Sequence, residues 1–359
     1  MKSKSESRFL SCICTLIAAM FLVVLTGGLN PAQAKDKKIV WKATSAYGAG
    51  LSYYKHAKYF ADRVKEMSGG RLVIQMNTGG SIVPVFSEQQ AVHRGSIDLA
   101  CSSSMYIRGK FPAAVLMGTS MYAFKQQEFM AWCEYGGGYE LWQKMYDNAK
   151  WNLKVLPAFC IYGTESLGWY RKPIRTPEDF KGMKYRTVGE WGEVVQDLGG
   201  SVISIPGGEL YSALEKGVLD GTDMSHPSFD KGLGLYEICK YNVYPGVHQT
   251  SGPMETVVNK DKWNALPKDL QQIVIAALRE ATYRSMTKTI IEDAEAVEFF
   301  KSKGVEIIKL SPEMLALLKA KVDKVLDERA AKYPFYGEVL KSQRAFHKKW
   351  QTYDKLQSW

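Results

Sequence analysis

Arg186 lies in MKYRTV, an apolar stretch that reads as a strand. A guanidinium in that setting needs a partner, because an unpaired charge away from water is costly. Its rigid fork of donors fits a carboxylate through two parallel hydrogen bonds. The plain alternative is a surface arginine on an edge strand. Two acids occupy turns elsewhere: Glu165 in GTESLGWYRK and Asp223 in VLDGTDMS. As a pair they could serve as acid and base, as in glycoside hydrolysis. Nothing else points to an enzyme. There is no nucleophile elbow, no glycine loop that cradles phosphate and no zinc box. The five histidines form no HxxxH or Cys/His pairing. His226 in SHPS and His248 in GVHQT read as supporting or structural groups. Tyr47 in SAYGAG and Tyr106 in SSSMYIRG each end a strand, with a core or rim tyrosine as the alternative. Trp169 and Trp191 bracket Arg186 and could wall a pocket, Trp169 being the better core candidate.

These residues must be positioned by the elements around them. Strand and helix signals alternate. KIVWKATSA reads as a strand, and SYYKHAKYFADRVKEMSGG as a helix stopped by Gly69-Gly70. Thr176 and Ser311 read as helix caps, each followed by proline at the first helical position. LPKDLQQIVIAALREATYRSM through FFKSKG reads as one long helix, with a broken helix as the alternative. Such alternation predicts α/β layers with parallel pairing. One pattern occurs twice: AVHRGSIDLACSSS from Ala91 and ALEKGVLDGTDMS from Ala213. Aligning them pairs Gly95 with Gly217 and Asp98 with Asp220. Each is a helix, a glycine stop and a short strand that brings a loop to the carboxyl edge of a sheet, where ligands sit in open α/β folds. One copy per half predicts two similar lobes facing across a cleft, with a chance match as the alternative.

Lys2, Lys4 and Arg8 precede the apolar FLSCICTLIAAMFLVVL, and PAQA ends in a small-x-small pattern. That is a secretory signal with cleavage expected after Ala34, a membrane anchor being the alternative. About 325 residues remain, enough for two cores. No later stretch approaches a membrane span, so the mature chain is expected to be soluble and periplasmic. The formal charge of +10 falls to about +8 once the signal is removed. Its basic residues are scattered among acids, so nucleic acid is a poor partner while small anions are compatible. Cys101, Cys133, Cys160 and Cys239 remain, and one disulfide or none is open.

RTPEDFKGMKYRT, GGELYSALEKGVLDGTDMS and YPGVHQTSGPMETVVNKDKWNALPKDLQQ together resemble the solute-binding proteins of TRAP (tripartite ATP-independent periplasmic) transporters. The resemblance is greatest to the branch that binds 2-oxo and 2-hydroxy monocarboxylates, and runs from about Ile39 to Trp350. It implies a type II periplasmic-binding-protein-like α/β fold: two lobes, crossing strands, a long lobe-spanning helix and a C-terminal helical extension. It also implies a receptor that catalyses nothing and delivers an organic acid, such as pyruvate or lactate, to small and large membrane subunits. The expected organisation is a signal peptide over 1–34 and a first lobe over 35–155 completed by part of 248–300. A second lobe spans 156–247, completed by part of 255–310, and C-terminal helices occupy 311–359.

By the same resemblance, Arg186 is the carboxylate-binding arginine. Tyr106 brings an aromatic hydroxyl near the substrate, Met105 taking its place if the alignment slips by one residue. Tyr47 is a further substrate contact. Asp223 and the backbone carbonyl of Met224 fall at a cation site, and Glu165 falls where the family carries a glutamine ligand. Two carboxylates and a carbonyl make a harder, more negative site than an amide and one carboxylate. Oxygen-only donors of that charge suit Ca²⁺, with Na⁺ the alternative. The tail FYGEVLKSQRAFHKKW resembles the helix through which oxo-acid binders exchange arms as homodimers, with packing on its own lobe as the alternative. Rival readings are a binder of sugar acids or C4-dicarboxylates, a secreted acid/base enzyme using Glu165 and Asp223, and a sensory receptor feeding a membrane kinase.

Overall fold

The structure, a computed structural model, describes residues 38–119 and 121–357. The signal segment read over 1–34 lies outside them. From Val40 onward the chain forms one compact unit.

Among the described residues the strands fall in two sheets. β1 (Ile39–Ser45), β2 (Leu72–Asn77), β3 (Leu99–Ser102) and β4 (Leu153–Tyr162) build most of the first. The chain then crosses and lays down β5 (Gly168–Tyr170), β6 (Lys184–Arg186), β7 (Ser201–Ile203), β8 (Gly221–Thr222) and β9 (Tyr241–Tyr244). It returns to the first sheet as β10 (Gly252–Asn259) and finishes the second as β11 (Glu306–Lys309). The strand orders are β2-β1-β3-β10-β4 and β11-β9-β5-β8-β6-β7. β4 stays in the first sheet to Tyr162, past the expected boundary at 155/156. β1–β3, β6–β7, β6–β8 and β9–β11 pair in parallel. Parallel pairing is not universal, however. β10 and β5 run antiparallel to both neighbours, since each follows a crossing and enters its sheet against the local direction.

The repeated pattern is a repeated structure. Gly95 and Gly217 both adopt positive φ, +73° and +71°, where an L side chain is strained. Asp98 takes the Lys42 amide on its carboxylate at 2.8 Å and gives its own amide to the Lys42 carbonyl at 2.8 Å. Asp220 makes the same two bonds to Lys184, both at 2.8 Å. Each aspartate thus braces the start of the neighbouring parallel strand, β1 or β6. The carboxyl ends of those strands carry Ser45 in one lobe and Arg186 in the other.

Helix Lys268–Ser302 runs unbroken for 35 residues. Its first half is tied to β4, with Thr282 Oγ1 donating to the Ala158 carbonyl at 2.5 Å and Ser285 Oγ accepting from the Ile161 amide at 3.0 Å. Its far end seats Phe300 edge-on against Trp169, with centroids 4.7 Å apart. The capped segment after Thr176 is a single 3-10 turn, Pro177–Phe180, while Ser311 caps the 21-residue helix Pro312–Lys332. The last helix, Pro334–Gln357, buries Tyr336, Val339 and Leu340 within its own chain. Trp132 Nε1 donates to Ser342 Oγ at 3.1 Å, and Gln343 Nε2 to the Leu116 carbonyl at 2.6 Å. The tail therefore covers itself on its own lobe. All four remaining cysteines are free and buried.

Glu88, at the start of helix Glu88–His93, is buried, with Thr44 Oγ1 donating to it at 3.3 Å and its second oxygen unpartnered. Burial raises its pKa from 4.5 to about 8. Between those values the folded chain holds a proton that the unfolded chain has lost. Stability is therefore full below the lower value and falls as pH rises toward the upper. Glu88→Gln mimics the neutral acid. Its melting temperature should match the parent at pH 4 and exceed it at pH 8.5; equality at pH 8.5 in a thermal melt would remove this account.

Candidate functional site

Arg186 is 1% exposed, and its strand β6 lies between β8 and β7 rather than at an edge. Nε donates to the Ile205 carbonyl at 3.0 Å, and Nη1 to the Asp223 carbonyl at 3.1 Å. Nη1 also stands 3.5 Å from Asp223 Oδ1 and 3.6 Å from Met224 Sδ. Nη2 is buried with no partner in the chain. Two of the three guanidinium nitrogens are thus fixed by protein, and Nη2 remains for something else.

Asp223 follows β8 directly, so the helix-stop-strand unit delivers it beside Arg186. Thr187 Oγ1 donates to its Oδ2 at 2.5 Å. Glu165 arrives from the crossing after β4, pinned by the other crossing segment. Its amide donates to the Gln249 carbonyl at 3.1 Å, and its carbonyl accepts the Gly246 amide at 2.9 Å. A Cβ on Gly246 would lie 2.4 Å from that carbonyl, so no side chain fits there. Gln249 Nε2 donates to Glu165 Oε1 at 3.0 Å and to Tyr162 Oη at 3.2 Å, while Glu165 Oε2 is unpartnered. Burial, and then the charge of Asp223, drive the Glu165 pKa well above the usual carboxylate range, with Arg186 opposing. His248 stands between the acids, its Nε2 3.2 Å from Asp223 Oδ2 and 3.7 Å from Glu165 Oε2. That is close enough for charge but poorly angled for a hydrogen bond.

Tyr47, Tyr106, Glu165, Arg186 and Met224 converge on one small cavity of about 20 Å³, with Asp223 behind Arg186. Met105 lines it too, so the short helix Ser104–Ile107 offers both neighbours to the same space. Tyr106 Oη meets Tyr47 Oη at 3.5 Å. Six lining residues were not foreseen from sequence: Tyr53, Ser103, Tyr162, Val188, Gln249 and Met254. Tyr53 Oη bonds Ser225 Oγ across the two halves. Arg186 is the sole cationic residue among those lining the cavity. Wider surface hollows, such as one of about 440 Å³ beside Lys55 and Lys288, contain none of these groups. Trp169 is core, donating to Asp230 Oδ2 at 2.8 Å, and Trp191 packs its ring 5.3 Å from His248. His226 turns away to Asp293, 2.8 Å distant.

The donor set can hold an organic anion through Arg186 and the tyrosine hydroxyls. Glu165 and Asp223 add oxygen donors of the kind a hard cation takes. Among the described residues, no group of three or more His, Cys, Asp or Glu side chains gathers to hold a metal unaided, and no helix is long and apolar enough to cross a membrane.

The family model for DctP, the bacterial extracellular solute-binding proteins of family 7, matches residues 44–333. A monocarboxylate 2-oxoacid-binding periplasmic protein of Nostoc sp. is 31% identical over 316 residues, covering 88% of this chain and 86% of that protein. Two solved TRAP periplasmic solute-binding proteins superpose with a TM-score of 0.84. One, from Colwellia psychrerythraea with bound calcium and pyruvate, is 31% identical. The other, from Pseudoalteromonas atlantica with bound sodium and pyruvate, is 30% identical. Each alignment covers 89% of this chain and 97% of the other. The two-lobed fold and the family match over most of the length agree, and the chain belongs to the DctP family of TRAP solute-binding proteins, receptors that bind small ligands for membrane subunits rather than transform them.

Proposed function

We propose that this receptor captures a short 2-oxo or 2-hydroxy monocarboxylate, of the size of pyruvate or lactate. It works in the periplasm after cleavage of a signal peptide at Ala34 and delivers its ligand to the small and large TRAP subunits. The observation that carries the reading is the free Nη2 of Arg186, a buried donor on an otherwise satisfied guanidinium, in a cavity without a second cation. A monocarboxylate meets that donor and brings one charge for one charge. A dicarboxylate would leave its second carboxylate unpaired in an apolar wall of Met105, Met254 and Val188. The ligands of the Nostoc, Colwellia and Pseudoalteromonas proteins support the same class.

The residues fit a hard cation. Glu165 Oε2 is an orphaned buried oxygen, and the Asp223 carboxylate and the backbone carbonyl of Met224 would be the further oxygen donors. Ca²⁺ takes six to eight oxygens, more than these residues offer, so the acid's carboxylate and 2-oxygen complete the set and the two bind together. When bound, the ion offsets the charge of Glu165 and Asp223 beside the ligand. The chain's own part is to hold the acid's carboxylate at Arg186, to orient Glu165 through Gln249 and Asp223 through Thr187, and to exclude water with the tyrosines. Ca²⁺ is the first choice because two carboxylates face the site; Na⁺ is the second.

Arg186→Met should weaken uptake of labelled pyruvate by about 100-fold, the loss of one or two charge-assisted hydrogen bonds, in equilibrium dialysis with Ca²⁺ present. Undiminished retention would overturn the reading. Calorimetry on chelator-stripped protein tests the ion. Glu165→Gln should lose about ten-fold in pyruvate affinity with Ca²⁺ and little with Na⁺. A parent protein whose affinity ignores chelation and refilling would reject the cation. The homodimer now rests on the tip of the last helix, where Tyr353 and Leu356 are 63% and 80% exposed. Light scattering should give twice the chain mass, falling to one chain mass in Tyr353→Ser/Leu356→Ser; a monomeric parent would remove the dimer.

A further inference from the structure

We propose that Arg108 is a clasp between the two lobes, a positioning residue that sets how long the ligand stays without touching it. The inference rests on the reading that this receptor holds an acid at Arg186.

Most cavity residues are buried, with Tyr106, Val188 and Met224 half-buried. Arg186, Glu165 and Asp223 are each 1% exposed, so a ligand enters or leaves only when the lobes part. Two hydrogen bonds span the seam beside the cavity. One joins Tyr53 to Ser225, but Tyr53 lines the cavity and would meet the ligand itself. The other runs from Arg108 Nη1 to the Gly189 carbonyl at 2.8 Å, and neither residue lines the cavity.

The two segments that make this second bond are those that carry the cavity walls. Arg108 closes the short helix Ser104–Ile107, which presents Met105 and Tyr106 inward. Gly189 follows Arg186 and Val188 on the strand end that forms the opposite wall. Next to Gly189, the carboxyl of Glu190 is buried with one oxygen unpartnered, and the Arg108 charge acts on it favourably. The bond is therefore charge-assisted in the sense that a cation donates to a carbonyl beside a buried acid. It exists only when the lobes meet. An interaction made only after closure slows opening and leaves encounter unchanged, so its signature is in dissociation.

The test is stopped-flow tryptophan fluorescence with pyruvate and Ca²⁺ on the full-length mature protein, for the parent, Arg108→Met and Arg108→Lys. Arg108→Met should release pyruvate about ten-fold faster and associate within about two-fold of the parent. Arg108→Lys, which can still donate to the same carbonyl, should return release to within about three-fold. A parent that binds no 2-oxo or 2-hydroxy acid overturns the functional reading and the clasp with it. A parent that binds while Arg108→Met releases at the parent's rate overturns the clasp alone. If Arg108→Lys releases as fast as Arg108→Met, lost packing accounts for the effect and the clasp also fails.

Discussion

A guanidinium taken wholly out of water has to be matched charge for charge and donor for donor, and the second lobe is arranged around that requirement at Arg186. Carbonyls of Ile205 and Asp223 saturate two of its nitrogens, and the Asp223 carboxylate supplies counter-charge. Asp223 is itself held by Thr187, and it weighs against a second buried acid, Glu165. Burial and the Asp223 charge both resist ionisation of Glu165. A cation bound together with an anionic ligand would favour the ionised acid. Removing either acid's partner alone would strand a buried charge, and such stranding costs more than the pair contributes.

The same requirement explains the backbone around the site. Glu165 is not placed by its own strand but by the second crossing segment, through the Gly246 and Gln249 backbone groups. Residues from two distant stretches are therefore fixed where the chain passes between lobes. The Asp98 and Asp220 braces do the equivalent for the strand ends. Each locks a parallel strand at its start so that its far end delivers Ser45 or Arg186 at a defined height.

Much of this was legible in the sequence. Arg186 in an apolar strand leaves a surface arginine open until the family resemblance assigns it to the carboxylate, and the doubled Gly-x-x-Asp unit points to the two lobes. Caps at Thr176 and Ser311 were readable because proline and hydroxyl chemistry act within one turn. What could not be read was the non-local part. Tyr53 looks like one more apolar position on an amphipathic helix; only the approach of Ser225, from the other half, makes it a cavity residue. Gln249 resembles any loop glutamine until the crossing segments lie side by side. The crossings also hid the antiparallel entry of β5 and β10, because strand direction depends on which lobe the chain has just left. The self-packed tail was open for a related reason: an apolar stripe states that it needs cover, not which surface provides it.

Helix Lys268–Ser302 is anchored to the first lobe near Thr282 and Ser285 and to the second near Phe300. A rod fixed at both ends keeps count. Each residue added between the anchors would advance the far end by about 1.5 Å and turn it by about 100°. Phe300 would then point away from Trp169, and the indel that a surface loop absorbs without notice would dislocate one lobe from the other. The length of this helix is thus a gauge that sets the phase between the halves.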